Sequence, residues 1–221
     1  LHTRRLLALA LAGIGLPAVA GPAFQLGEST SVDTSLTVGY TSSMRLNDAS
    51  PAYLADLNND GRTDLISSYG KSLSVWLGKG DGTFPSELVY PLSGTVSAIR
   101  VDDLNGDASL DLVVVTAGGY PAALLNKKDG TLGEPIALMT GPMTQNASSI
   151  ELADFDVDGR PDIVFESSSR LTLLRNQGGM VFLPDALSYT VHLTDVADLD
   201  GDGAAEIIGT TGGAAVLLND G

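Results

Sequence analysis

Cysteine is absent from the 221 residues, so no disulfide framework is available to pin the loops. Histidine is nearly absent, with His2 and His192 as the two copies, and no G-x-S-x-G motif occurs. His192 falls in the alternating run YTVHLTDV and reads as a strand residue, so no nucleophile–base pair is evident. Basic residues are scarce: 12 Lys and Arg stand against 27 Asp and Glu, a net charge of −15. Without a basic stripe to neutralise phosphates, nucleic acid is excluded as a partner, and cations are the natural counter-charge. Aromatic residues make up 5% of the chain, and the single Trp76 sits in the run SVWLG. That is too little ring surface for a carbohydrate-binding platform, and Trp76 reads as core. Beyond the first twenty residues nothing sustains the i, i+3, i+4, i+7 spacing of a helix, and nothing is long enough to span a bilayer.

What is present begins with a targeting pattern. His2, Thr3, Arg4 and Arg5 form a basic start, LLALALAGIGL is an apolar run of eleven residues, and Ala18-Val19-Ala20 is a small-residue cleavage pattern before Gly21. Residues 1–20 are therefore expected to be a signal peptide, which places the protein outside the cytosol, in the periplasm or at the cell surface. Thr3 to Leu7 also fits a relaxed twin-arginine pattern, but ordinary secretory signals often carry two Arg, and that route is preferred. Removal of these residues leaves 201 residues with 10 basic against 27 acidic side chains, or −17. The remainder, 21–221, reads as one repeat domain.

An acidic cluster recurs four times: DLNNDGRTD at 56–64, DLNGDASLD at 103–111, DFDVDGRPD at 154–162 and DLDGDGAAE at 198–206, in steps of 47, 51 and 44 residues. A short alternating run precedes each cluster, and a β-branched run follows it: LISSYG, LVVVTAGG, IVFESSS and IIGTTGG. A third run and a Gly/Asp turn come next, then a fourth short run such as SELVYPL or GEPIALM. Four short strands per period predict an all-β chain of β-propeller blades, about four of them, rather than a sandwich or a solenoid.

Within each cluster, side chains at offsets 0, 2 and 4 can converge from a tight loop. Self-repelling carboxylates so placed call for a cation, and an all-oxygen set suits calcium. An EF-hand needs an acid at offset 11, where Ser67, Val114, Phe165 and Gly209 stand. At offset 8 the chain has Asp64, Asp111, Asp162 and Glu206, so the loop is a shorter, strand-to-strand type. The candidate side-chain ligands are Asp56, Asn58, Asp60 and Asp64; Asp103, Asn105, Asp107 and Asp111; Asp154, Asp156, Asp158 and Asp162; and Asp198, Asp200, Asp202 and Glu206. The carbonyls of Arg62, Ser109, Arg160 and Ala204 at offset 6 would complete each shell. Gly61, Gly159 and Gly203 at offset 5 permit a left-handed backbone, whereas the second loop has Ala108 there. The loops hold 14 of the 27 acids, and four Ca²⁺ ions would bring −17 to −9.

The DxNxDGxxD loop, followed by GDGTF at Gly80 to Phe84, resembles the FG-GAP/VCBS repeats of integrin α-subunit propellers and secreted bacterial proteins, over roughly residues 50–221. The resemblance implies a structural Ca²⁺ in the loop between the first two strands of each blade, with ligand recognition on the opposite face. Two features depart from the pattern: Ala108, and QGGMVF in place of the DGT turn in the third unit.

Relatives of this kind commonly have seven blades. The fourth unit stops at LLNDG, before its last strand. Either the chain is part of a larger propeller, or Gly21-Pro22-Ala23-Phe24 and QLGESTSV, similar to DGTFPSELVY, supply that strand and close a small ring. Asn146-Ala147-Ser148 is a glycosylation sequon. The expected role is non-catalytic: an adhesion or protein-interaction scaffold with structural calcium, able to associate with further blades or subunits. The alternative is a polysaccharide-binding module or one attached to a polysaccharide lyase. A protein or glycan ligand would sit opposite the calcium loops.

Overall fold

The computed structural model describes residues 51–117, 119–139 and 147–220, with the paired strands β1 (Ser35–Leu36) and β2 (Met44–Arg45). The chain divides into units Leu1–Val32 and Asp33–Gly221. The expected signal at 1–20, the closing segment at 21–32 and Asn146 lie outside the described residues.

Among the described residues every regular element is a strand, and four antiparallel sheets follow one another along the chain. The first is β3 (Ala52–Ala55), β4 (Asp64–Tyr69), β5 (Ser72–Leu77) and β6 (Ser86–Pro91), paired in that order. The second is β7 (Val96–Asp102), β8 (Asp111–Thr116), β9 (Ala122–Leu124) and β10 (Ile136–Ala137). The third is β11 (Ala147–Ala153), β12 (Asp162–Ser167), β13 (Arg170–Asn176) and β14 (Phe182–Thr190). The fourth has three described strands: β15 (His192–Ala197), β16 (Glu206–Thr210) and β17 (Ala214–Leu217). These are the expected propeller blades. His192 opens β15, as its alternating context predicts.

The first strands stand side by side, β3 against β7, β7 against β11, and β11 against β15. The second strands of the two middle blades, β8 and β12, are covered on both faces by neighbouring blades. This is why their sequences are continuous apolar runs and do not alternate. In β8, Leu112 and Val114 pack toward the first blade with Ile66, Leu73 and Val75, while Val113 and Val115 pack toward the third with Ile150, Ile163 and Phe165. In β12, Val164 turns the other way, to Leu193, Ala205 and Ile207 of the fourth blade. The core therefore lies between blades. Each fully buried Leu, Ile or Val there contributes about 1.5–3 kcal/mol. Trp76 is buried against Leu65, with Phe84 packed beside it.

Candidate metal centres

Each acidic loop joins the first and second strands of its blade. The pairs Ala55–Asp64, Asp102–Asp111, Ala153–Asp162 and Ala197–Glu206 close the four loops at their strand ends. Two residues in every loop have positive φ. At offset 5 these are Gly61 (79°), Ala108 (65°), Gly159 (80°) and Gly203 (96°); at offset 3 they are Asn59 (55°), Gly106 (77°), Val157 (58°) and Gly201 (85°). Alternating left-handed residues turn successive N–H groups inward and form an anion-binding concavity.

The offset-0 carboxylate fills that concavity. Asp56 accepts the N–H groups of Asp60 and Gly61 at 3.1 and 2.8 Å. Asp154 accepts those of Asp158 and Gly159 at 3.2 and 2.8 Å. Asp103 accepts from Gly106, Asp107 and Ala108, and Asp198 from Gly201 and Gly203. The offset-4 aspartates Asp60, Asp107, Asp158 and Asp202 accept the N–H of offset 6, from Arg62, Ser109, Arg160 and Ala204. Three of them also meet a cationic side chain: Asp60 with Arg62, Asp107 with Lys128, and Asp158 with Arg160.

The offset-8 acids Asp64, Asp111, Asp162 and Glu206 are fully buried. One oxygen of each accepts the N–H at offset 1, from Leu57, Leu104, Phe155 and Leu199. In the first three blades the other oxygen accepts the N–H that ends the third strand, from Gly78, Asn126 and Asn176. Burial pushes the Asp111 carboxyl up to about 6, with the charges of Asp107 and Asp103 adding to it. Asp162 is raised in the same way, by burial first and then by Asp156 and Asp158. A bound cation reverses such shifts.

The structure brings offsets 0, 2 and 8 together in two loops. Asp154, Asp156 and Asp162 present one oxygen each, all within 4.8 Å of one another, and Asp198, Asp200 and Glu206 do the same. Two bare carboxylates at that separation repel by about 3 kcal/mol at an effective dielectric of about 20. Asp158 and Asp202 stand outside these triads. In the first two loops offset 2 is an amide, Asn58 or Asn105. Asn58 is satisfied within its loop, with its Oδ1 accepting from Asp60 N and its Nδ2 donating to Asp60 Oδ2.

Three oxygens at these loops are buried without any donor: Asn105 Oδ1, Asp156 Oδ1 and Glu206 Oε1. A buried acceptor with no donor costs roughly 1–3 kcal/mol. Donor-free oxygens beside clustered carboxylates are the environment a hard cation requires, so these residues fit calcium.

Two sets of residues that shape the site lie outside the candidate ligands. At offset 3, Asn59, Gly106 and Gly201 signal a left-handed residue in three of the four loops. Asn126, Asn176 and Asn219 recur at or just past the end of the third strand as LLN, LRN and LLN, and they bond carbonyls in consecutive loops.

The FG-GAP-like repeat family model matches residues 56–114 and again 103–165. Among solved structures, an Agrocybe aegerita lectin that specifically recognises non-reducing terminal N-acetylglucosamine is 22% identical, with a TM-score of 0.59; the match covers 78% of this chain and 50% of the lectin. BBS1N, solved in complex with ARL6DN, is 18% identical with a TM-score of 0.53, covering 75% of this chain and 52% of that one. The chain thus spans about half the length of the solved structures it matches, which share its fold. No curated protein matches it. Among the described residues no helix is long and apolar enough to cross a membrane.

Proposed function

This chain is an FG-GAP-like repeat protein, and on that premise we propose that it is a calcium-stapled propeller scaffold, working outside the cytosol to bind a protein or glycan partner. The observation that carries the calcium reading is the set of donor-free buried oxygens, Asn105 Oδ1, Asp156 Oδ1 and Glu206 Oε1, set among acids in three successive loops. Offsets 0, 2 and 8 of each loop would hold the ion, with the offset-6 carbonyl able to complete the shell. The ion's chemistry is electrostatic: it neutralises the cluster and locks the first two strands of the blade together. No step of catalysis is assigned to these residues. The proposed location matches the signal reading of residues 1–20, and calcium is abundant in that compartment.

Thermal unfolding in EGTA and in millimolar Ca²⁺ tests the reading. A site filled at about 100 times its Kd adds about 2.7 kcal/mol, which for a domain of this size moves Tm by several degrees per site. A melting curve indifferent to both conditions removes calcium from the proposal.

A second reading, glycan binding, is favoured by the cleft between the third and fourth blades, whose lining combines the exposed Tyr189 with Arg175, Asn219, Phe155 and Leu217. A ring face with polar groups around it suits a sugar. A glycan array combined with a turnover assay on acidic polysaccharides separates this from protein recognition; silence in both leaves the protein scaffold.

A further inference from the structure

The offset-8 acids of the first three loops, Asp64, Asp111 and Asp162, are joined to one another through main-chain and asparagine hydrogen bonds. From Asp64 Oδ2 the path runs to Leu57 N at 2.9 Å and through that residue to its carbonyl, which accepts Asn126 Nδ2 at 2.6 Å. The N–H of the same Asn126 donates to Asp111 Oδ1, in the next blade's loop, at 2.8 Å. Asp111 Oδ2 accepts Leu104 N at 3.2 Å, Leu104 O accepts Asn176 Nδ2 at 3.0 Å, and Asn176 N donates to Asp162 Oδ1 at 2.6 Å. Asp162 Oδ2 accepts Phe155 N at 3.2 Å, and Phe155 O accepts Asn219 Nδ2 at 2.7 Å. Asn126 and Asn176 also donate to the offset-7 carbonyls of their own loops, Leu110 and Pro161, at 3.0 and 3.1 Å. Both are buried, and the carbonyls they reach in the preceding loop lie 69 and 72 positions away in sequence.

From this circuit we infer that Asn126 and Asn176 are positioning residues that couple the cation loops of adjacent blades, so that filling one loop raises the affinity of the loop before it. The inference rests on the calcium reading. Each asparagine holds its own loop's offset-8 acid through its N–H. It also holds the carbonyl of the preceding loop's offset-1 residue, whose N–H orients that loop's offset-8 acid. A cation that orders one acid orders this shared side chain, and the neighbouring loop then has less freedom to lose on binding. The circuit breaks at the fourth blade. Glu206 is one methylene longer than aspartate, and its Oε1 lacks the main-chain donor that its counterparts have. The fourth loop is accordingly the least coupled.

Loop amides read each site separately: Gly61 for the first loop, Gly106 for the second, Gly159 for the third and Gly203 for the fourth. Calcium titrations of the full chain are followed by ¹H–¹⁵N NMR in the parent and in Asp156→Ala, which removes a third-loop ligand free of backbone bonds to its carboxylate. The expected result is a loss of calcium affinity at Gly106 of about fivefold or more, the ordinary range of site coupling. That loss should disappear in the Asn176→Ala background and persist with Asn126→Ala. The mirror arm uses Asn105→Ala read at Gly61, where Asn126→Ala removes the coupling and Asn176→Ala does not. General destabilisation would not show this junction specificity, and the two junctions control for each other if one variant folds poorly. Calcium binding with no cross-loop effect, or coupling that survives loss of its own asparagine, overturns the inference and leaves the calcium reading standing. An absence of calcium shifts at all four amides in the parent overturns both.

Discussion

Arg100 of β7 grips Glu151 of β11 with two guanidinium nitrogens. Its Nε donates to Oε2 at 2.6 Å, its Nη2 contacts Oε1, and its Nη1 turns back to the Ile99 carbonyl at 2.8 Å. The two residues occupy equivalent places, three positions before the first aspartate of their loops, as do Tyr53 and Asp195. The hydrogen bond to Glu151 raises the Arg100 pKa further, with the charge of Glu151 and then Tyr53 and Asp195 contributing. The first strands of blades two and three are thus tied by a bidentate ion pair.

Arg100→Met should lower unfolding stability by about 2 kcal/mol, because it strands a largely buried carboxylate. Pairing it with Glu151→Leu should restore most of the loss, since an apolar pair of similar volume needs no counter-charge. Urea titrations of the two variants check this, and equal losses in both would contradict it.

Ala108 and Val157 hold left-handed backbone at φ of 65° and 58°. Such a conformation costs an L-residue with a Cβ roughly 1–2 kcal/mol, and a β-branched side chain is the worse fit. Ala108→Gly and Val157→Asn should each raise stability by about 1 kcal/mol in the calcium-free protein. A shift of the urea midpoint at constant slope is the expected signature.

Gly78 takes the third-strand position that asparagine holds in the other blades, and its N–H donates to Asp64 Oδ1 at 2.8 Å. A Cβ there would lie 2.1 Å from the Thr63 carbonyl oxygen. Gly78→Ala should therefore cost at least about 2–3 kcal/mol, whereas Gly213→Ala, with open space around it, should cost little. Melting temperatures of the two proteins make the comparison.

The pH response should change direction with calcium. Asp111, pushed up to about 6, and Asp162, also raised, are easier to protonate folded than unfolded. Their contribution to stability is complete below the ordinary carboxylate pKa and is lost as pH rises through each raised pKa, which for Asp111 is about 6. In EDTA, acidification from pH 7 to 5 should therefore stabilise the protein. In calcium, the same change should destabilise it, because protons compete with the ion for these carboxylates. Asp81 and Asp129, held low by the hydroxyl and then the amide of Thr83 and Thr131, act at lower pH. Urea midpoints at pH 5, 6 and 7 in both buffers decide the matter.

Much of the fold was legible because its signals are local. The runs DLVVVT and DIVFES announce strands covered on both faces, and β8 and β12 are those strands. The spacing of the four acidic loops marks where first strands give way to second strands. The site was legible in part. Its acids stand out in the sequence as candidates, but the division of labour among them depends on donors that come from elsewhere. Asp60, Asp107 and Asp158 each meet a basic side chain, and Asp156 meets Arg175 while converging with Asp154 and Asp162.

The sequence by itself determined the repeat, the strand order within a blade and the oxygen-rich loops, since turn chemistry and a period of two act over a few residues. Only the tertiary structure decided that Asn126 belongs to Leu57, 69 residues away, and Arg100 to Glu151, 51 away. It also decided that Asn105, Asp156 and Glu206 each bury an oxygen without a donor. Those facts arise where blade packs on blade, and no short-range pattern encodes how two such faces meet.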